Sequence, residues 1–113
     1  MVKLSIIVIN YNTQELTLKC VDSIFNRYTR EINQELIEII LIDNASTDGS
    51  GQKLARLQKD KKGIKTIESK ENLGFGGGNN EAAKSTRGQL LLFLNSDTEV
   101  QLSLIHISSP RDS

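Results

Sequence analysis

Four short apolar runs punctuate the chain, at residues 4–9, 36–42, 64–67 and 90–94. Each is rich in leucine or β-branched residues. Three are nearly unbroken, the pattern of strands buried on both faces of a parallel sheet; 64–67 is weaker and reads as a short or edge strand. Helical patterns separate the runs. Leu18, Val21, Phe25 and Tyr28 fall at helical spacing behind Thr13, a candidate N-cap. Leu54 and Leu57 mark a second helix, with Ser50 as candidate cap, Lys59, Lys61 and Lys62 at its end and Gly63 as candidate C-cap. A third, from 79 to 87, is small-faced through Ala82 and Ala83 and stops at Gly88. The order β-α-β-α-β-α-β predicts an α/β fold, a three-layer α/β/α sandwich with a mainly parallel sheet and right-handed crossovers.

Composition narrows what such a fold does. The chain has 113 residues, enough for one domain, with 37% hydrophobic and 25% charged residues. Fourteen basic residues balance fourteen acidic ones, so the broad positive field that nonspecific nucleic-acid binding requires is missing, and no nucleic-acid partner is expected. An anionic ligand must be held by local devices, such as backbone amides or a metal ion. The single cysteine, Cys20, has no partner for an internal disulfide and reads as a core thiol. No signal-peptide pattern opens the chain, and no apolar run approaches the roughly 20 residues of a membrane helix. The expected localisation is cytoplasmic.

Polar residues collect where the predicted strands end, the edge at which open parallel sheets bind ligands. The first strand runs into Asn10-Tyr11-Asn12. The second ends in Asp43-Asn44-Ala45-Ser46-Thr47-Asp48-Gly49-Ser50, the third leads to Asn72-Leu73-Gly74-Phe75-Gly76-Gly77-Gly78-Asn79-Asn80, and the fourth ends in Asn95-Ser96-Asp97. Each has a structural alternative. Asn10 and Asn12 could cap the next helix, and Asp43 could close a turn or accept hydrogen bonds from a ribose or base. Asp48-Gly49-Ser50 reads as a helix start. Three consecutive glycines are a hinge or a close approach of backbone to an anion. They form neither a P-loop, since no Lys-Ser or Lys-Thr follows, nor a dinucleotide fingerprint, since they follow the third strand. Asn95 and Asp97 sit at alternate positions and can share one hard cation, with Asp97 supplying the charge.

Taken together, Ser5-Ile-Ile-Val-Ile-Asn-Tyr-Asn12, Ile39-Ile-Leu-Ile-Asp-Asn-Ala-Ser-Thr-Asp-Gly-Ser50, Asn72-Leu-Gly-Phe-Gly-Gly-Gly-Asn-Asn80 and Leu91-Leu-Phe-Leu-Asn-Ser-Asp97 resemble successive motifs of family 2 glycosyltransferases. The third motif is similar to the rhamnosyltransferase-like branch. The resemblance implies a truncated GT-A (nucleotide-diphospho-sugar transferase) fold that moves a sugar from a nucleotide diphosphate sugar to a glycan or lipid-linked acceptor. It implies that Asn10, Tyr11 and Asn12 line the nucleoside pocket, with Asp43 on the base or ribose and Asn44 and Ser96 nearby. Gly76, Gly77, Gly78 and Asn79 would flank the sugar diphosphate. Asp97 would match the last acid of the family's Asp-X-Asp metal motif, for Mg²⁺ or Mn²⁺, while Asn95 replaces the first acid.

The family's general base and much of its acceptor site have no match here. The resemblance therefore implies an incomplete chain, with catalytic residues and any membrane association lying in a missing C-terminal part. Residues 1–101 read as the nucleotide-sugar-binding part of the domain. Residues 102–113, including the only histidine, His106, resemble the in-frame translation of a sequencing adapter and are expected to be a non-native tail. A non-catalytic nucleotide-sugar-binding module on the same fold is the alternative. A receiver-like signalling domain is disfavoured, because Asn10 and Asn12 are neutral where such domains gather acids.

Overall fold

The computed structural model describes residues 2–95; Ser96, Asp97 and the tail with His106 lie outside them. Four strands, β1 (Leu4–Asn10), β2 (Ile37–Asp43), β3 (Ile64–Glu68) and β4 (Leu90–Asn95), form one parallel sheet in the order β3-β2-β1-β4. Every residue of β1 and β2 is buried, which explains their unbroken apolar sequences: each lies between two strands and under helices on both faces.

Helices cover the two faces unequally. On one, α1 (Gln14–Arg27), α2 (Thr29–Asn33), α3 (Ser50–Ala55) and α4 (Leu57–Asp60) contribute Cys20, Val21, Ile24, Ile32, Leu54 and Leu57. These pack on Leu4, Ile6 and Val8 of β1 and Ile37, Ile39 and Leu41 of β2. At roughly 1.5–3 kcal/mol for each large aliphatic side chain taken from water, this layer dominates the stability of the fold. On the other face, α5 (Gly74–Ala83) lays Ala82 over Ile7, Ile9, Ile40 and Ile42.

The predicted α/β/α layering is observed, with local corrections. β1 and β2 each run one residue beyond the predicted 4–9 and 36–42 and take in Asn10 and Asp43, because these two are themselves register partners. The second helical pattern is two helices that meet at Arg56. α2 is too short for periodicity to have flagged it. Thr13 does stand at the N-cap of α1, but its side chain makes no cap bond; the hydroxyl donates to Asn10 Oδ1 instead, at 3.1 Å. Ser50 is the first residue of α3 and not its cap: its N–H donates to Asp48 Oδ1 at 2.9 Å, across Gly49 in the left-handed region (φ 83°). The C-cap of α4 is Lys61, in extended backbone, and not Gly63, which follows two residues later at φ 91°.

Two differences bear on function. The third helix starts at Gly74, not 79, so the glycines are its first turns and not a loop before it. Propensity opposes this, and side-chain anchors overrule it: Leu73 N–H donates to Asn44 Oδ1 (2.9 Å) and Gly74 N–H to Asn72 Oδ1 (2.8 Å). The second difference is β4. Its run of apolar residues predicted burial on both faces, yet Leu90, Leu91 and Phe93 are 56%, 42% and 43% exposed. Leu92 and Leu94 pack against the α1 layer. Among the described residues β4 is an edge strand, paired only with β1.

Candidate functional site

The carboxyl ends of β1 and β2 are joined by a buried polar cluster. Asn10 is fully buried and Asp43 nearly so. Asn10 Nδ2 donates to Asp43 Oδ1 at 2.7 Å, to Ser50 Oγ at 2.8 Å and to Ser46 Oγ at 3.1 Å. An ionised carboxylate only accepts, which fixes the orientation of the amide. Asn10 Oδ1 in turn accepts from Thr17 Oγ1 (2.7 Å) and Thr13 Oγ1 (3.1 Å). One side chain therefore ties the start of α1, the end of β2 and the start of α3 together. With its donors and acceptor spent on the protein, Asn10 lies beneath the rim and supports it.

Asp43 is likewise turned inward. Its carboxylate accepts from Ser46 Oγ (2.5 Å) and Ser46 N–H (3.1 Å) as well as from Asn10. Gly51 must be small, because a Cβ there would stand 2.6 Å from Asp43 Oδ2. Above this pair, Asn12 stitches the two loops: its N–H donates to Ser46 Oγ (2.9 Å) and its Oδ1 accepts the N–H of Thr47 (2.8 Å) and Asp48 (3.3 Å). Asn12 and Ala45 both have positive φ (53° and 64°); asparagine tolerates this region better than most residues. The hydroxyl and N–H of Ser50 hold the Asp48 carboxyl below its usual range. Tyr11 is 44% exposed. A cleft of about 420 Å³ is lined by Asn12, Thr13, Gln14, Glu15, Leu16 and Asp48.

Asn44 carries the cluster across to α5. It is buried, its N–H donates to Asn10 O at 2.8 Å, and its side chain donates to Gly74 O at 3.0 Å while accepting from Leu73 N–H. The start of α5 is thereby pinned to the end of β2. Gly78 lies so close to the sheet that a Cβ would meet Ile9 Cδ1 at 3.1 Å and Asn44 Nδ2 at 3.3 Å. Gly76 is exposed, with nothing within 4 Å of a Cβ placed there. The first four amides of a helix have no carbonyl one turn back to bond; Gly74 uses Asn72, while Phe75, Gly76 and Gly77 belong to the same turn. Asn79 Oδ1 is buried without a hydrogen-bond partner.

The structure thus brings Asn10, Asp43 and Asn44 together with Gly78 of α5, and Tyr11 and Asn12 stand on the same rim. β4 runs parallel to β1, with Asn95 the register partner of Ile9, so that strand ends at this rim also. Ser96 and Asp97 follow it outside the described residues. Among the described residues no group of three or more His, Cys, Asp or Glu could hold a metal ion, and no helix is long and apolar enough to cross a membrane.

A second polar node, missed in the sequence, lies at the opposite end of the sheet. Glu38 is 6% exposed and interrupts the apolar run of β2. It accepts from Ser5 Oγ (2.6 Å), Arg87 N–H (2.5 Å) and Arg87 Nε (3.1 Å). Ser5 Oγ accepts from Gly88 N–H at 2.8 Å. Burial pushes the Glu38 carboxyl upward, but the bonds from Ser5 and Arg87 outweigh it and hold it below the ordinary range. Its signal in the sequence was a lone carboxylate inside an otherwise apolar strand.

The parallel four-stranded sheet with its covering helices is a truncated GT-A sugar-transferase fold. Staphylococcus aureus TarS in complex with UDP-GlcNAc matches with a TM-score of 0.71 and 27% identity, over 84% of this chain and 26% of that one. The fold is also that of the mannosyltransferase PcManGT from Pyrobaculum calidifontis, solved with GDP-Man and Mn²⁺ (TM-score 0.72, 24% identity, 84% of this chain and 27% of that one). Residues 5–106 match the model of glycosyl transferase family 2, and the chain belongs to that family. The poly(ribitol-phosphate) beta-glucosyltransferase of Bacillus spizizenii is 35% identical over 96 residues, which are 84% of this chain and 15% of that protein. The GalNAc(5)-diNAcBac-PP-undecaprenol beta-1,3-glucosyltransferase of Campylobacter jejuni is 33% identical over 88% of this chain and 31% of its own length. The chain thus spans under a third of either relative.

Proposed function

We propose that residues 1–101 are the nucleotide-sugar-binding part of an enzyme that transfers a sugar, with inversion, from a nucleotide diphosphate sugar to a glycan or lipid-linked acceptor in surface-polysaccharide assembly. The observation that carries this reading is the junction at one rim of Asn10, Asp43 and Asn44 with the glycine-opened start of α5. In it, Asn10 and Asp43 hold the loops, and Tyr11 and Asn12 border the nucleoside. Gly76 and Gly77 bring amides to the diphosphate, where a helix start favours negative charge. The unpartnered Asn79 Oδ1 accepts a hydrogen bond from the donor. The rhamnosyltransferase-like third motif makes a deoxyhexosyl or hexosyl donor part of this reading.

The donor set fits a divalent cation: β4 ends at the rim, and its last residue, Asn95, with Asp97 and Ser96 after it, offers only oxygen ligands. Asp97 and Asn95 would hold Mg²⁺ or Mn²⁺, which supplies charge stabilisation to the leaving diphosphate. In this reading the general base and acceptor site belong to a longer protein at the inner face of the membrane, residues 102–113 are a non-native tail, and the chain alone binds donor without transferring sugar. Titration of ¹⁵N-labelled chain with UDP and Mn²⁺ tests it. Shifts at Asn44, Gly76 and Gly77, with paramagnetic broadening at Asp97, are expected; an unperturbed rim overturns the reading.

A further inference from the structure

We infer that Glu38 is a positioning residue, whose buried carboxylate at the amino end of the sheet sets the register in which β4 reaches the opposite rim. The inference rests on the metal reading for Asn95 and Asp97 given above. Its starting point is that β4 has little else to hold its register. Among the described residues it pairs with one neighbour, its residues 90–94 are all apolar, and leucine repeats at 90, 91, 92 and 94. Sliding such a strand by one residue replaces leucine by leucine at several positions, so side-chain packing discriminates poorly between registers. Yet a one-residue slip moves every side chain to the other face, and it would carry Asn95 away from its place beside Ile9.

The node at Glu38 removes that freedom. The carboxylate takes both the N–H and the Nε–H of Arg87, three residues before β4 begins, and Ser5 Oγ takes the N–H of Gly88. Leu90 N–H then donates to Lys3 O at 2.9 Å. Only glycine fits at 88, because a Cβ would lie 2.5 Å from both Ser5 N and Ser5 Oγ. Shifting the strand by one residue would put Gly88 or Thr86 where Arg87 donates, and would force a side chain into the space at Ser5. The Ser5–Glu38 pair is itself a register pair of β1 and β2, so the reference point belongs to the two most buried strands.

The test compares Glu38→Gln with wild type in the complete 113-residue chain, by amide hydrogen exchange and Mn²⁺ titration. A glutamine presents an N–H₂ where one carboxylate oxygen accepted, so it cannot receive every donor. The expected result is a loss of protection of about tenfold or more at the amides of β4, with those of β2 and β3 unchanged, since local opening is separable from global unfolding. Mn²⁺ affinity should fall by a similar factor. A merely structural role would lower protection in all four strands together and leave the Mn²⁺ affinity of the folded molecules unchanged; that result, or unaltered β4 protection, overturns the inference. If Glu38→Gln does not fold, Ser5→Ala, which removes the hydroxyl's bonds to Gly88 and Glu38 and leaves both Arg87 bonds, is read in the same way. Wild-type chain that binds no Mn²⁺ sinks the metal reading instead, and with it the positioning role, while β4 exchange still reports whether Glu38 sets the register.

Discussion

The sheet carries two buried carboxylates on β2, each facing a polar register partner on β1: Glu38 with Ser5, and Asp43 with Asn10. They lie at opposite ends of the strands and on opposite faces. The Ser5–Glu38 node binds the chain that leads directly into the next strand. The Asn10–Asp43 node binds loops that border open space. Burial and hydrogen bonding are alike in the two, so neither marks a ligand site by itself. What distinguishes the rim is the company of the pair: Tyr11 and Gly76 are exposed, Asn12 is exposed, and one acceptor on Asn79 has no partner. In the proposed function, binding chemistry belongs to the loops that the buried pair holds up, and less to the pair.

The sharpest way to break this comparison is Asn10→Ala. It strands Asp43, Ser50 and Thr17 in a dry interior, and we expect a loss of about 3 kcal/mol or more in urea unfolding. At the other node, Gly88→Ala drives a methyl group into Ser5, with an expected loss of about 2 kcal/mol in the same measurement and least-protected amides in β4. Glu38 itself gives a pH signature. Its carboxyl is depressed in the folded chain, so its contribution is fully present above the ordinary glutamate value of 4.5 and disappears as pH falls through the lower, folded value. Urea midpoints measured from pH 6 down to about pH 3 should decline in wild type and decline less in Glu38→Gln. The smallest effect is the most telling for function. Gly76→Ala has room for its methyl and should gain about 0.5–1 kcal/mol from helix propensity. If Gly76 borders the diphosphate, the same variant binds UDP more weakly; a more stable protein with unchanged UDP affinity would remove Gly76 from the site.

Much of this molecule was legible as letters. Unbroken apolar runs announced β1 and β2 because both faces of each are covered, and polar residues at strand ends marked the rim because parallel strands all point the same way. Other features were hidden for physical reasons. Gly74 begins a helix only because Asn44, thirty residues away, holds its carbonyl; no local preference encodes that. Asn10 could be placed at the rim from its position, but whether it faced a ligand or the interior depended on Thr13, Thr17 and Ser50, which approach it from two other elements. The run at 90–94 looked like a central strand because its apolar letters do not say which strands flank it.

That last strand has a practical consequence for anyone handling the chain. Among the described residues nothing pairs with its outer edge, and Leu90–Asn95 carries no lysine, glutamate or proline to discourage a second molecule from adding to it. The whole molecule, meanwhile, balances fourteen cations against fourteen anions and has an isoelectric point near 6.6. Long-range repulsion is therefore weakest around neutral pH, where colloidal association is least opposed. Storage a unit or two above the isoelectric point, at low protein concentration, should keep copies apart.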